Sequence, residues 1–453
     1  MKRRTVVTLT LILLTVLLDL RLSQVLALRV GPGFDDVSID WTQYHDYGNL
    51  TRILLQMNRT YSNVASVFSI GKSYLGREIW AVRLTDASSR APKTEMLIVG
   101  HHHAREVISA ETPLYLINYL AKSFAFNQTI TQLLRQRIIY VVISLNVDSL
   151  DTIKQNPWQR KNLHPFDDDE DGRMDEDIIK DIDGDGTIGE WTRVQQTGKN
   201  EWVLLEHGIE GVNVDADGPA PYVCTDLPGG VDLNRNYGFL WEDLSVQSGS
   251  SSPASDVYRG PSPFSEPETR AIKAFVEKHA FRTAISFHSG TSVIIYPWSH
   301  SKDPTADDLT FRNLANRLSR ITGFGHMQSS EMYSMSGDWK DWMYGTFGTI
   351  AFTIELYGNE NAFARRTISY DNRSRIWTTW TTGIFEAFNP PVNRIEKITQ
   401  IGTEAAIALA QFPDLLILLA KPAILVSALA AIPAVLLIIF LIARPRKYNV
   451  RSL

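Results

Sequence analysis

The chain has 453 residues, of which 44% are hydrophobic and 21% charged, and its formal net charge is −5. This composition is typical of a globular protein and excludes global disorder. So small a net charge gives no reason to expect a nucleic-acid partner. The single cysteine, Cys224, excludes an intrachain disulfide.

Both ends of the sequence carry membrane signals. Residues 1–27 combine a basic start, an apolar stretch and small residues, which predicts a signal peptide. Residues 422–443 contain no charge and are long enough to cross a bilayer as a helix, and the basic tail 444–453 predicts a cytoplasmic C-terminus. We therefore expect a single-pass protein of the cell membrane with an extracellular body. Its sequons would be available for glycosylation at Asn49, Asn58, Asn127 and Asn372.

Residues 37–388 alternate between strand and helix patterns. Apolar positions at helical spacing predict a helix within 35–62, and Val64–Leu84 predicts two strands joined by a turn. Further strands are predicted at Met96–Val99, Arg137–Leu145, Arg282–Phe287, Ser292–Tyr296 and Ile350–Leu356, with helices at Glu111–Ala121 and Glu266–His279. The alternation predicts a single α/β domain with a mixed, mostly parallel central β-sheet flanked by helices. Residues 389–421 are interpreted as a stalk or juxtamembrane segment before the membrane helix.

An acidic insertion at 165–192 interrupts this alternation, with twelve carboxylates between Asp167 and Glu190. Two runs have Asp or Glu at alternate positions and Gly at the sixth, as in the first half of a calcium loop, but neither has Glu at the twelfth. The runs predict calcium ligands at Asp167, Asp169, Asp171, Asp181, Asp183 and Asp185. The alternative is a solvated acidic loop.

A dense group of metal-binding side chains follows the strand predicted at Met96–Val99. His103 and Glu106 are three residues apart, so on a tight turn they face the same way. Imidazole and carboxylate are ordinary zinc ligands, and a catalytic zinc takes three protein ligands. Taken alone, this short pattern also fits a polar loop after a buried strand. His288 and Glu355 lie near the ends of two further predicted strands, where open α/β sheets place their sites.

Four more motifs follow in order, at Trp158–Asn162, Gly230–Tyr237, Ala284–Ser289 and Phe352–Leu356. Together with His103 and Glu106 they resemble the zinc metallocarboxypeptidases of the carboxypeptidase A/B type over roughly residues 37–388. The acidic insertion is similar to one in microbial members of that family. The resemblance implies hydrolysis of the C-terminal peptide bond of peptides or proteins.

The resemblance also implies a role for each site residue. His103, Glu106 and His288 would hold the zinc, with His101 and His102 outside the ligand set. Glu355 would be the general acid/base and Arg160 would polarise the scissile carbonyl. The substrate would be positioned by Arg105, bound at its terminal carboxylate by Asn234 and Arg235, and covered by Tyr333.

Two positions depart from the digestive enzymes of the family. Gly290 stands where those enzymes have a tyrosine, which predicts an open wall in the substrate cleft. Lys340 stands where side-chain preference is set in many members, between Asp338 and Asp341. A cation there would favour a C-terminal Glu or Asp, unless one of the two aspartates points into the pocket instead.

Two rival functions remain open from the sequence. An amidase that trims envelope peptides would use the same zinc, Arg160 and Glu355. A membrane-tethered binding module with an inactive site belongs to a different class, and the intact Glu355 argues against it. Zinc content together with turnover of a blocked dipeptide separates the three functions.

Overall fold

The computed structural model describes residues 37–412, apart from 167–171, 176, 200, 215–219, 225–228, 244, 247 and 254. The predicted signal peptide, membrane helix and cytoplasmic tail lie outside these residues and stay predictions. Among the helices of the described part, none is long and apolar enough to cross a bilayer.

The centre of the fold is an eight-stranded mixed sheet in the order β1-β2-β4-β3-β9-β12-β10-β11. Its strands are β1 (Ala65–Lys72), β2 (Glu78–Leu84), β3 (Thr94–Gly100), β4 (Arg137–Val142), β9 (Phe281–His288), β10 (Thr291–Tyr296), β11 (Gly325–Gln328) and β12 (Ile350–Tyr357). The four central strands, β4, β3, β9 and β12, run parallel to one another. Antiparallel pairs occur toward the edges, so the predicted α/β class and mixed sheet are confirmed.

Helices cover this sheet on both faces. They are α1 (Tyr47–Thr60), α2 (Ile108–Ser123), α3 (Gln128–Gln136), α4 (Pro267–Val276), α5 (Asp308–Thr322), α6 (Ser329–Met332), α7 (Trp339–Phe347), α8 (Ile384–Phe388) and α9 (Ile395–Ala410). Along β3 successive side chains enter opposite cores, with Met96 and Ile98 on one face and Leu97 and Val99 on the other. A strand buried on both faces has to be a continuous apolar run, which is why β3 was predictable.

The region of the acidic insertion is part of a second sheet that the sequence did not predict. Its strands are β5 (Ile178–Ile179), β6 (Glu190–Gly198), β7 (Glu201–Val212), β8 (Val223–Cys224), β13 (Ala364–Asp371) and β14 (Ile376–Thr382). The order is β13-β14-β6-β7-β5, with β8 also paired to β7. Its strands come from two stretches of the chain, residues 178–224 and 364–382, that are about 140 residues apart, and β13 is exposed along its whole length. No local apolar alternation therefore marks these strands.

The folded domain extends beyond the predicted boundary at residue 388. Helix α9 packs into the main hydrophobic core through Ile395, Ile398 and Leu409. It approaches closely enough that a Cβ on Gly402 would lie 2.5 Å from Thr112 Cγ2 and 2.8 Å from Leu356 Cδ2. Residues 395–410 are therefore part of the domain rather than of a stalk, because their apolar face is covered by α2 and β12. The rest of the predicted stalk, from residue 413, lies outside the described residues.

A buried carboxyl away from the site predicts a pH-dependent stability. Burial raises the pKa of Glu268 to about 7, and Glu266 and Asp148 add to the rise although the Tyr74 N–H opposes it. Because this pKa lies above the ordinary 4.5, the unfolded chain loses its proton first as pH increases. The stability contributed by the protonated form is complete below about pH 4.5 and is lost as pH rises to about 7.

We therefore expect Glu268→Gln to be more stable relative to wild type at about pH 8 than at about pH 5. The difference should approach about 3 kcal/mol in the free energy of unfolding, measured by urea denaturation. Glu277→Gln, on the exposed end of the same helix, is the control and should not change the pH dependence. An equal difference at both pH values would show that Glu268 has an ordinary pKa.

Candidate active site

Three side chains that can bind a metal converge at the carboxyl end of the central sheet. His103 and Glu106 follow β3, and His288 is the last residue of the neighbouring strand β9. His103 Nδ1 lies 2.7 Å from Glu106 Oε1, His288 Nδ1 lies 2.9 Å from Glu106 Oε2, and the two Nδ1 atoms are 3.2 Å apart. These residues form one of the two groups in the described part of the chain that could hold a metal ion.

The hydrogen bonds around these residues fit a divalent cation. His103 Nε2 lies 3.1 Å from Asp232 Oδ1, so the neutral ring donates its Nε2–H to that carboxylate. Its Nδ1 then directs a lone pair at the Glu106 carboxylate and at His288, an arrangement that is repulsive unless a cation accepts the electron pairs. Burial lowers the pKa of His103, which keeps the ring neutral.

Asp232 contacts the metal-binding group, and sequence reasoning did not identify it. Its carboxylate is fully buried and bonds both His103 and Arg160, the latter through Nε at 2.9 Å. Burial would raise the pKa of Asp232, but Arg160 and then His103 lower it well below its ordinary value. In the sequence, Asp232 is marked only by its place two residues before Asn234 within Gly230–Tyr237. Its contacts with His103 and Arg160 span 129 and 72 residues of sequence, so no local pattern indicates them.

Glu355 lies on β12 beside the metal-binding group, in register with His288 of β9. Its Oε2 is buried and, among the described residues, has no hydrogen-bond partner. Burial raises the pKa of Glu355 to about 7, and the Glu106 charge adds to the rise. A carboxyl with this pKa can both accept and release a proton near neutral pH.

Arg160 keeps its charge in the same buried space. Burial alone would lower the pKa of its guanidinium, but Asp232 and then Glu106 raise it. Tyr333 follows α6 in a half-buried, extended conformation. The structure brings Arg160 beside the metal-binding residues through its bond to Asp232. The role of Tyr333 stays a prediction.

Asn234 and Arg235 lie in a short 3-10 turn, Leu233–Arg235, that begins after Asp232. Arg235 is 2% exposed, and its Nη1 donates to Asn234 O at 2.8 Å while its Nη2 donates to Ser248 Oγ at 3.0 Å. Its Nε is buried and lacks a partner among the described residues. Asn234 Oδ1 accepts from the Trp339 N–H at 3.0 Å, which orients the amide. The turn therefore presents a buried cation with a spare donor, as an anionic ligand requires.

Lys340 is buried in α7 and is not a free cation. Its Nζ donates to Ser299 Oγ at 2.7 Å and forms an ion pair with Asp338. Asp341 accepts from the Ser299 N–H at 2.8 Å. The Lys340 ammonium is thus balanced by the Asp338 carboxylate. This weakens the physical reason for expecting a preference for a C-terminal Glu or Asp.

The wall expected to be open at Gly290 is filled by another ring. A Cβ on Gly290 would lie 2.8 Å from Phe388 Cε1. The same Phe388 ring lies 4.7 Å from the Arg105 guanidinium carbon, so it supports that cation. The expectation of an open wall was wrong on this side because a residue about a hundred positions away takes the space.

The two remaining histidines of the motif are structural neighbours of the ligands. His101 bonds Ser144 Oγ and Ala104 O, both at 2.9 Å. His102 Nε2 bonds the Tyr237 hydroxyl at 2.9 Å, its Nδ1 bonds Ser286 Oγ at 3.1 Å, and its ring stacks on that of His288 with centroids 5.2 Å apart. Both rings therefore have their nitrogens engaged away from the metal-binding atoms.

In the acidic insertion the structure brings together a different ligand set from the predicted one. Asp181 and Asp183 lie with Glu210 of β7, their carboxylate oxygens within 4.8 Å of one another, and Asp185 is not in this group. Asp185 Oδ1 instead accepts from the Thr187 N–H at 2.8 Å. Glu210 is buried and accepts backbone N–H groups from Ile182, Asp183 and Gly189. Asp167, Asp169 and Asp171 lie outside the described residues.

Comparison with known proteins agrees with this geometry. The model of the zinc carboxypeptidase family matches residues 50–405, and the chain therefore belongs to that family. Carboxypeptidase B of Astacus astacus is 28% identical, over 71% of this chain and 89% of the relative. The zinc carboxypeptidase of Saccharothrix mutabilis subsp. capreolus is 24% identical, over 72% of this chain and 64% of the relative.

Solved structures show the same fold. Thrombin-activatable fibrinolysis inhibitor superposes with a TM-score of 0.59 at 21% identity, covering 86% of this chain and 79% of that one. Carboxypeptidase A of Helicoverpa armigera superposes with a TM-score of 0.57 at 19% identity, covering 88% and 81%. At such low identity these likenesses establish the fold, and the site rests on the contacts described above.

Proposed function

We propose that this protein is a zinc-dependent metallocarboxypeptidase that removes C-terminal residues from peptides or proteins. The observation that carries the proposal is one buried constellation. It combines the ligand group His103, Glu106 and His288 with two buried atoms, Glu355 Oε2 and Arg235 Nε, that have no hydrogen-bond partner among the described residues. The ligand group and Glu355 suit hydrolysis of a peptide bond. Arg235 suits recognition of the carboxylate at a chain end.

His103, Glu106 and His288 would hold the zinc, which supplies an activated water and polarises the carbonyl when bound. Glu355 takes a proton from the attacking water and passes it to the leaving amine. Arg160 places its charge where the carbonyl oxygen becomes negative, and Asp232 holds both Arg160 and the His103 ring in position. Little reorganisation is needed during the reaction, since these groups are already buried and oriented.

The substrate end is bound on the Arg235 side of the site. The Arg235 Nε and the Asn234 amide bind the terminal carboxylate, and burial of Arg235 strengthens this contact because little solvent screens it. The side chain of the last residue lies toward Lys340 and Asp338, whose charges compensate each other. Tyr333 covers the bound end from its half-buried position.

The proposal is tested with purified full-length protein. We expect about one zinc ion per chain, release of the C-terminal amino acid from a blocked dipeptide, loss of this activity with a zinc chelator and recovery on adding zinc. Bound zinc with no hydrolysis would indicate a binding module instead. Hydrolysis confined to amidated or cross-linked envelope peptides would indicate the amidase.

We also propose that the protein is held at the cell membrane with its active site directed away from the bilayer. The described chain ends beside the start of β4, where Arg137 donates to the carbonyls of Ala410 and Phe412 at 2.9 and 3.2 Å. The metal-binding residues follow the opposite end of the parallel strand β3. A strand of this length separates the two ends by roughly 20 Å. A tether starting after residue 412 would therefore leave the site open to extracellular peptides.

The acidic insertion carries a separate prediction of calcium binding, now at Asp181, Asp183 and Glu210. We expect a calcium-selective chelator to lower the melting temperature by a few degrees, because the carboxylates repel one another without a cation. Differential scanning calorimetry with zinc content held constant measures the shift. Asp181→Asn with Asp183→Asn is the control, and its melting temperature should not respond to the chelator. A wild-type protein that does not respond either would contradict the prediction.

A further inference from the structure

We propose that Asp256 is a specificity-determining residue, selecting basic over acidic side chains in the part of the substrate upstream of the scissile bond. This inference rests on the proposed carboxypeptidase activity and concerns a residue outside the motifs identified in the sequence.

Asp256 lies at the mouth of the site against Arg105. Arg105 immediately precedes the ligand Glu106, and its Nη1 donates to Trp158 O at 3.2 Å and to Asp256 Oδ2 at 3.3 Å. The Arg105 side chain is 13% exposed, whereas that of Asp256 is 53% exposed. The cation is therefore covered and the carboxylate faces the solvent, so an approaching peptide meets the negative member of the pair.

The position of the pair relative to the ligands indicates which part of the substrate passes it. The terminal residue is held by Arg235 and Lys340, so the rest of the peptide leaves on the other side of the scissile bond. Arg105 rests on Phe388, and Phe388 fills the space beside Gly290, two residues after His288. Arg105 and Asp256 thus lie on the side of the metal-binding group that Glu106 and His288 form. The substrate residues upstream of the scissile bond would run along this side.

Three further basic groups act on Asp256, namely Arg160, Lys161 and His207. Arg160 is paired with Asp232 at 2.9 Å, and His207 of β7 bonds Glu190 at 3.0 Å. Lys161 is buried, and its Nζ donates to Pro253 O at 2.7 Å. Asp256 makes its ion pair with Arg105 through one oxygen, Oδ2. More than half of its side chain remains accessible to a substrate ammonium or guanidinium. An acidic substrate side chain would meet repulsion at the same place.

The test uses three blocked tripeptides that differ only at the third residue from the C-terminus, which is Lys, Gln or Glu. For the zinc-loaded wild type we expect kcat/KM to decrease in the order Lys, Gln, Glu at low salt. In Asp256→Asn the ratio of Lys to Glu substrates should fall about tenfold, with the Gln substrate changed less than about twofold. Asp256→Glu should restore the ratio, and added salt should reduce it.

Glu206→Gln, which removes the same charge from an exposed pair with Arg193, is the matched control and should leave the ratio unchanged. If Asp256→Asn cleaves all three peptides with the wild-type ratio, or lowers all three equally, Asp256 does not select substrates and the inference is overturned. Failure of the carboxypeptidase activity itself would look different, since wild type would cleave none of the three.

Discussion

Glu355→Gln should lower kcat/KM for a blocked dipeptide by about a thousandfold while the protein still binds its zinc. The amide cannot accept a proton from the attacking water or return one to the leaving amine, and general acid/base catalysis by a positioned group contributes about 10² to 10⁴ in rate. The metal content should not change because Glu355 is not among the three ligands. Steady-state kinetics and elemental analysis on the same preparation measure both quantities.

The control for this variant is Glu360→Gln, which makes the same change on an exposed turn shortly after β12. It should keep wild-type kinetics. A Glu355→Gln enzyme with more than about a tenth of wild-type activity would show that another group moves the proton. Loss of zinc together with activity would instead mean that Glu355 helps to hold the metal, contrary to the geometry.

Arg235→Lys should abolish the distinction between a free C-terminal carboxylate and its amide. Lysine keeps the charge but not the planar fork, so it cannot reproduce the bonds to Asn234 O and Ser248 Oγ and still present a donor at the Nε position. We expect KM for a peptide acid to rise about a hundredfold and that for the matched amide to change little. Competition between the two substrates measures the discrimination directly.

Folding and metal content need to be followed in this variant, because Arg235 is buried and lies 4.0 Å from Asp232. Ser248→Ala is a milder second variant, since it removes one support of the guanidinium without removing the cation. Arg193→Lys, at an exposed side chain on β6 of the second sheet, is the matched control. If a folded, zinc-loaded Arg235→Lys enzyme still prefers the acid as strongly as wild type, Arg235 does not recognise the chain end.

The local pattern of the sequence was enough for the central sheet. The strand predicted at Met96–Val99 is observed at Thr94–Gly100, and that predicted at Ile350–Leu356 at Ile350–Tyr357. Both are apolar runs buried on two faces. A strand buried in this way needs apolar residues at nearly every position, so it can be predicted from the sequence. The second sheet has no such signal, because its strands are short, half-buried or exposed, and they pair across a long sequence separation.

The sequence by itself determined the family resemblance and the α/β class, and through that resemblance it pointed to the three residues that the structure brings together as a group able to hold a metal ion. The geometry is consistent with this, because parallel apolar strands end together at one edge of the sheet and the polar groups that follow them can meet there. The tertiary structure alone decided what those groups touch. Asp232 bonds His103, Asp338 balances Lys340, and α9 closes the core, in each case through contacts that no local periodicity records. Charge pairing and packing across the chain, rather than motif spacing, therefore set the electrostatics of the candidate site.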